Sequence, residues 1–213
     1  MTPETTTKLF RNKPVVRPSE DELFQLASLL NSHKKVTIFC GLGAREAHTE
    51  IIQLAERLKA PVAYSYKAKM AIQHNNPYEV GLTGLLGIPS AYHSMHECEL
   101  LVLLGTDFPY TPFMPIKNKI VQIDIKPENL GRRAKLDLGL CGDVRDTLHA
   151  LMPMVEMKTE TTNGFFYAPG LRQVLDKNAV LFDRFTSFQV TGSFLCSYLI
   201  VLNLDQRNLG LIS

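Results

Sequence analysis

The feature that most constrains this chain is a set of short apolar runs separated by segments with helical spacing. Lys35-Val-Thr-Ile-Phe-Cys40, Pro61-Val-Ala-Tyr-Ser65, Leu100-Leu-Val-Leu-Leu104 and Lys119-Ile-Val-Gln-Ile-Asp124 are too short for helices and are bounded by turn residues. A strand with one wet face alternates apolar and polar residues; these runs are apolar almost throughout, which requires burial on both faces. Leu136 to Cys141 is a candidate fifth strand. Between the runs lie amphipathic stretches. Residues 19–32 open on Ser19 and Glu22, a capping-box pair, with Leu23, Leu26, Ala27 and Leu30 on one face. Residues 46–59, 89–97 and 144–154 also read as helices, and the segment between residues 65 and 89 reads as a long polar loop. The expected fold is therefore α/β: an open parallel sheet with helices on both faces.

A sheet of this kind binds ligands in the crevice at the carboxyl ends of its strands. The loops expected there are rich in glycine: Gly41-Leu-Gly43, Gly81-Leu-Thr-Gly-Leu-Leu-Gly87, Gly105-Thr-Asp-Phe-Pro-Tyr110, Asp124-Ile-Lys-Pro127 and Gly142-Asp143. Glycine permits close approach of a phosphate or planar ring, and a helix start supplies free N–H groups. Asp124 is a carboxylate at a strand end, suited to accept from ribose hydroxyls. Together these loops point to an extended nucleotide. A plain nicotinamide site is disfavoured, because Glu46 stands where a third glycine would be and no acid closes the second strand. Lys67 and Lys69 either meet phosphate or face solvent. His93 and His96 lie one helical turn apart near Cys98, but without a second ligand pair they read as a helix face, and no metal site is expected.

Composition narrows the partners. With 45% apolar and 21% charged residues and a net charge of +2, the 213-residue chain has no basic bias for nucleic acid or anionic lipid. No run reaches the ~20 apolar residues of a membrane span, the N-terminus is polar, and the four cysteines are scattered. Cytoplasmic localisation is the expectation, and assembly into a homo-oligomer is left open. After Lys158 the pattern lapses. Thr159 to Ser213 shows no strand–helix alternation, and a loosely packed tail from a truncated or frameshifted gene is expected there. The expected organisation is an N-terminal arm (1–18), a nucleotide-binding domain (19–156) and an unassigned tail (157–213).

Several segments then carry a resemblance. Pro14-Val-Val-Arg-Pro-Ser-Glu20, the Gly41 to His48 turn, Leu58-Lys-Ala-Pro-Val62, Asn76 to Gly87, Leu103 to Tyr110 and Val121 to Pro127 are similar, in order and spacing, to the central domain of thiamine-diphosphate enzymes. Pyruvate oxidase and quinone-linked pyruvate dehydrogenase are the members most resembled. The resemblance implies a six-stranded parallel sheet that binds FAD. It implies that Leu82, Thr83, Gly84 and Leu85 line the flavin, and that Gly105, Thr106, Asp107, Phe108 and Pro109 wrap the ribityl and pyrophosphate region. Asp124 would hold the adenosine end, with Gly41 and Gly43 in the turn beneath. It further implies a parent reaction in which thiamine diphosphate, held through magnesium, decarboxylates pyruvate and passes electrons to FAD, which a quinone or oxygen reoxidises. The glutamate and metal motifs for thiamine are not among these segments, so the chain alone is expected to be inactive. The alternative is a non-catalytic remnant or nucleotide-binding module of the same fold; an NAD-binding regulator ranks last, because the catalytic histidine context of the deacylases is missing.

Overall fold

The computed structural model describes residues 14–159, and the expectation of a loosely packed tail lies outside them. The apolar runs form β1 (Val36–Cys40), β2 (Val62–Tyr64), β4 (Leu100–Leu104) and β5 (Lys119–Asp124), with β6 (Leu138–Cys141) at one edge. The other edge is β3 (Glu79–Leu82), in the segment read from sequence as loop. All neighbours pair in parallel, in the order β3-β2-β1-β4-β5-β6. The helices are α1 (Glu20–Ser32), α2 (His48–Leu58), α3 (Lys69–Ile72), α4 (Pro89–Glu97) and α5 (Val144–Leu151).

Alternate residues of each strand feed two cores. Val36, Ile38, Cys40, Val62, Tyr64, Leu100, Val102, Leu104, Val121 and Ile123 pack under α1, α2 and α5. Phe39, Ala63, Val80, Leu101, Leu103 and Ile120 pack on the opposite side with Ala91 and Met95 of α4, joined by Phe108 and Met114. Burial on both sides is the physical reason the strands are apolar at nearly every position.

Two polar residues interrupt the runs, and both are satisfied. Thr37 Oγ1 donates to Ser94 O of α4 at 2.7 Å, fastening the helix to β1. Gln122 is buried in β5; its Nε2 donates to Thr106 O at 3.0 Å and Asn129 O at 3.2 Å, and its Oε1 accepts from Gly131 N at 3.1 Å. It therefore locks together the loops that leave β4 and β5.

The expected capping box is present: Glu22 N donates to Ser19 Oγ and Ser19 N to Glu22 Oε2. The helix expected at 46–59 is shorter, because residues Leu42–Ala44 turn first as a 3₁₀ element. The helix expected at 144–154 likewise ends in a 3₁₀ turn, Met152–Met154. Residues of the N-terminal arm rest on α5: Asp143 N donates to Val16 O at 2.8 Å, and Arg17 pairs with Asp146 at 2.6 Å. Beyond α5 the chain returns beneath α1 and α2, where Lys158 Nζ donates to His33 O. Burial pushes that amine down to about 8.

Candidate functional site

Strand order reverses between β1 and β4, each of which sends its chain to a different side of the sheet. The loops at this edge are laced by backbone bonds. Ser65 N donates to Cys40 O, Gly41 N to Leu104 O, Gly105 N to Ile123 O and Gly142 N to Asp124 O, all at 2.8–3.0 Å. The result is a rigid rim around a cleft of about 1000 Å³ along the carboxyl ends of the strands. Every site residue expected from the sequence lines it except Gly41 and Gly84.

The central glycines have a structural task. A Cβ on Gly41 would lie 2.3 Å from Gly105 O and 2.5 Å from Thr106 Cβ, and one on Gly43 would lie 2.9 Å from Gly105 Cα. Gly105 itself has φ +55°, a left-handed conformation that favours glycine. These residues let the β1 and β4 loops touch each other, with Gly43 N donating to Gly105 O at 2.9 Å.

The β3 end of the cleft is apolar. Leu82 ends the strand, Gly84 turns at φ +111°, and Leu85 and Leu86 are 46% and 49% exposed. Phe108 is buried in the second core, edge-on to Phe39 and Tyr110, and places the Tyr110 ring beside Gly84. Thr83 is 3% exposed, and its hydroxyl is buried without a hydrogen-bond partner among the described residues.

The β5 end is charged. Asp124 is 4% exposed; its Oδ1 accepts from Lys126 N at 2.9 Å and its Oδ2 from Asn129 Nδ2 at 3.2 Å. Asp107 accepts from Arg133 Nε at 2.7 Å and from Arg132 Nη1 at 3.3 Å. The bond from Arg133, reinforced by the charge of both arginines, holds the Asp107 carboxyl below the usual carboxylate range. Lys67 lines the cleft, whereas Lys69 starts α3 outside it. Sequence reasoning missed Arg45, Gln122, Arg132, Arg133 and Arg145. For Arg132 and Arg133 the available signal was the Gly131-Arg-Arg133 step after β5. Gln122 could have been found as the one polar residue inside its apolar run.

His93 pairs with Glu97 at 3.5 Å, and His96 stacks on Tyr92 with ring centroids 4.0 Å apart. Among the described residues no three His, Cys, Asp or Glu side chains gather in a metal-binding group. No helix among them is long and apolar enough to cross a membrane.

A doubly wound parallel sheet with a glycine-rimmed cleft at its switch point defines an open α/β domain whose crevice lies where sheets of this kind take their ligands. Residues 23–151 match the family model described as thiamine pyrophosphate enzyme, central domain, and the chain belongs to that family. It is 50% identical over 147 residues to a 42.6 kDa protein of the isoamylase 3′ region in Pseudomonas amyloderamosa, covering 69% of this chain and 37% of that one. It is 28% identical to pyruvate oxidase of Lactiplantibacillus plantarum, covering 68% of this chain and 24% of the relative. Identity is also 28% to the acetolactate synthase isozyme 1 large subunit of Escherichia coli, covering 65% and 25%. The chain thus spans about a quarter to two fifths of the length of these curated relatives. The fold matches a Mycobacterium smegmatis crystal structure assigned to the thiamin diphosphate-dependent enzymes. The TM-score is 0.60 at 24% identity, covering 71% of this chain and 31% of that one.

Proposed function

We propose that this chain is the FAD-binding central domain of a thiamine-diphosphate-dependent enzyme of the pyruvate oxidase or quinone-linked pyruvate dehydrogenase type. The observation that carries the reading is the cleft, whose lining contains nearly all the residues that the family resemblance assigns to the flavin. The shape and chemistry of the cleft fit such a ligand. Its β3 end offers exposed leucines and a tyrosine to a planar apolar ring, and its β5 end offers charge. The lone Thr83 hydroxyl supports the same reading, because a buried hydroxyl without a partner costs about 1–3 kcal/mol, which a ligand heteroatom would remove. Flavin, when bound, supplies a two-electron acceptor; the residues of this chain bind and orient it. Thiamine diphosphate and magnesium belong to the parent reaction, and the segments that resemble the family carry no motif for either. Pyruvate turnover therefore requires more than this domain.

Titrating FAD into the full 213-residue chain tests the reading. Saturable quenching of flavin fluorescence and a yellow purified protein are expected, and a flavin that stays free at micromolar protein overturns it. With FAD, thiamine diphosphate and magnesium supplied, the chain should reduce a dye with pyruvate no faster than a protein-free control. Turnover abolished by omitting thiamine diphosphate would place thiamine chemistry on this chain. A second reading, a module of the same fold that holds a nucleotide without flavin or no ligand at all, draws on Asp124, both of whose oxygens already accept bonds from their own loop.

A further inference from the structure

In a glycine-turn phosphate site the backbone N–H groups point at the ligand. Here the turn after β1 commits most of them to other backbone groups. Gly41 N donates to Leu104 O at 2.8 Å, Gly43 N to Gly105 O at 2.9 Å, Ala44 N to Gly41 O at 3.1 Å and Arg45 N to Leu42 O at 3.3 Å. Gly105 N is engaged as well, with Ile123 O at 2.8 Å. The glycines face the neighbouring loop, where a Cβ would meet backbone atoms within 3 Å. With these glycine amides engaged, side chains on the wall become the natural partners for a phosphate in this cleft.

Two adjacent guanidiniums stand ready on its wall. Arg132 and Arg133 both line the cleft, with side chains 52% and 31% exposed, and both bond to the single carboxylate of Asp107. Their three contacts, at 2.7, 3.3 and 3.4 Å, leave most of the five N–H groups on each guanidinium open. Two positive charges face one negative charge. The cluster is also held in place: buried Gln122 ties Thr106 O to Asn129 O and Gly131 N, fixing the loops that carry Asp107 and the arginines. Planar guanidiniums match the paired oxygens of a phosphate in geometry as well as charge.

We propose that Arg132 and Arg133, held by Asp107, form a diphosphate subsite that makes this cleft selective for diphosphate-bearing ligands over uncharged flavin. The inference rests on the cleft being the ligand site, and it deepens that reading by naming what the charged end recognises. Calorimetric titration of FAD, ADP and riboflavin into the full chain and into the Arg132→Gln/Arg133→Gln double variant tests it, with thermal unfolding run beside each.

For the double variant, FAD and ADP should bind about ten- to a hundred-fold more weakly, with a flatter salt dependence, while riboflavin binding stays put and the unfolding temperature falls only by the small amount that partly exposed ion pairs contribute. Arg133→Lys should recover part of the salt dependence without the full affinity, because it keeps the charge and loses the fork. Equal loss for riboflavin, or unchanged affinity for FAD and ADP, overturns the proposal and leaves the flavin reading standing. A wild-type chain that binds ADP through these arginines but not FAD overturns the flavin reading alone. A chain that binds neither overturns both.

Discussion

At the scale of single residues, the site is organised by atoms that have no room. Gly41 and Gly105 bring two loops into backbone contact, and the cleft floor exists because neither carries a side chain. Gly41→Ala should therefore destabilise the domain by roughly 1–3 kcal/mol, the cost of overpacking a site whose neighbour is main chain. A urea titration should show the lower midpoint, and a midpoint equal to wild type would mean the loops can part freely. The expectation that glycine here admits a phosphate becomes, in three dimensions, glycine admitting another loop. Asp107 and Asp124 change meaning in the same way. Asp124 reads in sequence as a carboxylate at a strand end and Asp107 as part of a ligand-wrapping loop, and each is held by partners: Arg132 and Arg133 for Asp107, Lys126 and Asn129 for Asp124.

At the scale of elements, helix starts are the most legible feature. Ser19 and Glu22 satisfy each other's backbone N–H groups at the start of α1, as their three-residue spacing requires. Ser19→Ala should cost about 1 kcal/mol, because the Glu22 amide would lose its acceptor; chemical denaturation with the helix followed by circular dichroism measures it. A loss under a few tenths would show that water replaces the cap. The hardest element to read is β3. It has four residues, one of them Gly81 at φ +97°, and its register against β2 shifts between Val62 and Ala63. Nothing local marks such a strand; its place at the sheet edge comes from β2 offering unpaired backbone groups and α4 covering Val80.

At the scale of the whole molecule, charge ties distant segments together. Glu99 accepts from Lys35 N and Lys34 N, which joins the start of β4 to the turn before β1, and these bonds lower its pKa. Arg133 does the same to Asp107, and Arg17 to Asp146. A carboxylate with a depressed folded value adds stability above its unfolded value, near 4, and that stability is lost as pH falls through the folded value. His96 is held neutral chiefly by burial, so its contribution falls away as pH drops below its unfolded value of about 6.5. Urea midpoints should therefore decline in two stages on acidification, a small step below about 6.5 and a larger one below about 4. His96→Gln should remove the first step and Glu99→Gln part of the second; a profile flat from neutral pH to pH 3 would contradict the charge network.

The sequence by itself determined the class of fold, because a strand buried on both faces must be apolar at nearly every position, and that pattern is written locally. It determined α1 and its cap for the same reason: the partners lie within one turn. It also marked the strand-end loops that rim the cleft, since parallel sheets leave their crevice there. What only the tertiary structure decided depends on contacts between residues far apart in the chain. The meeting of Gly41 with Gly105, of Asp107 with Arg132 and Arg133, and of Gln122 with two loops has no local signature. Each is set by which strands lie side by side, and strand order follows from the packing of helices across both faces of the sheet.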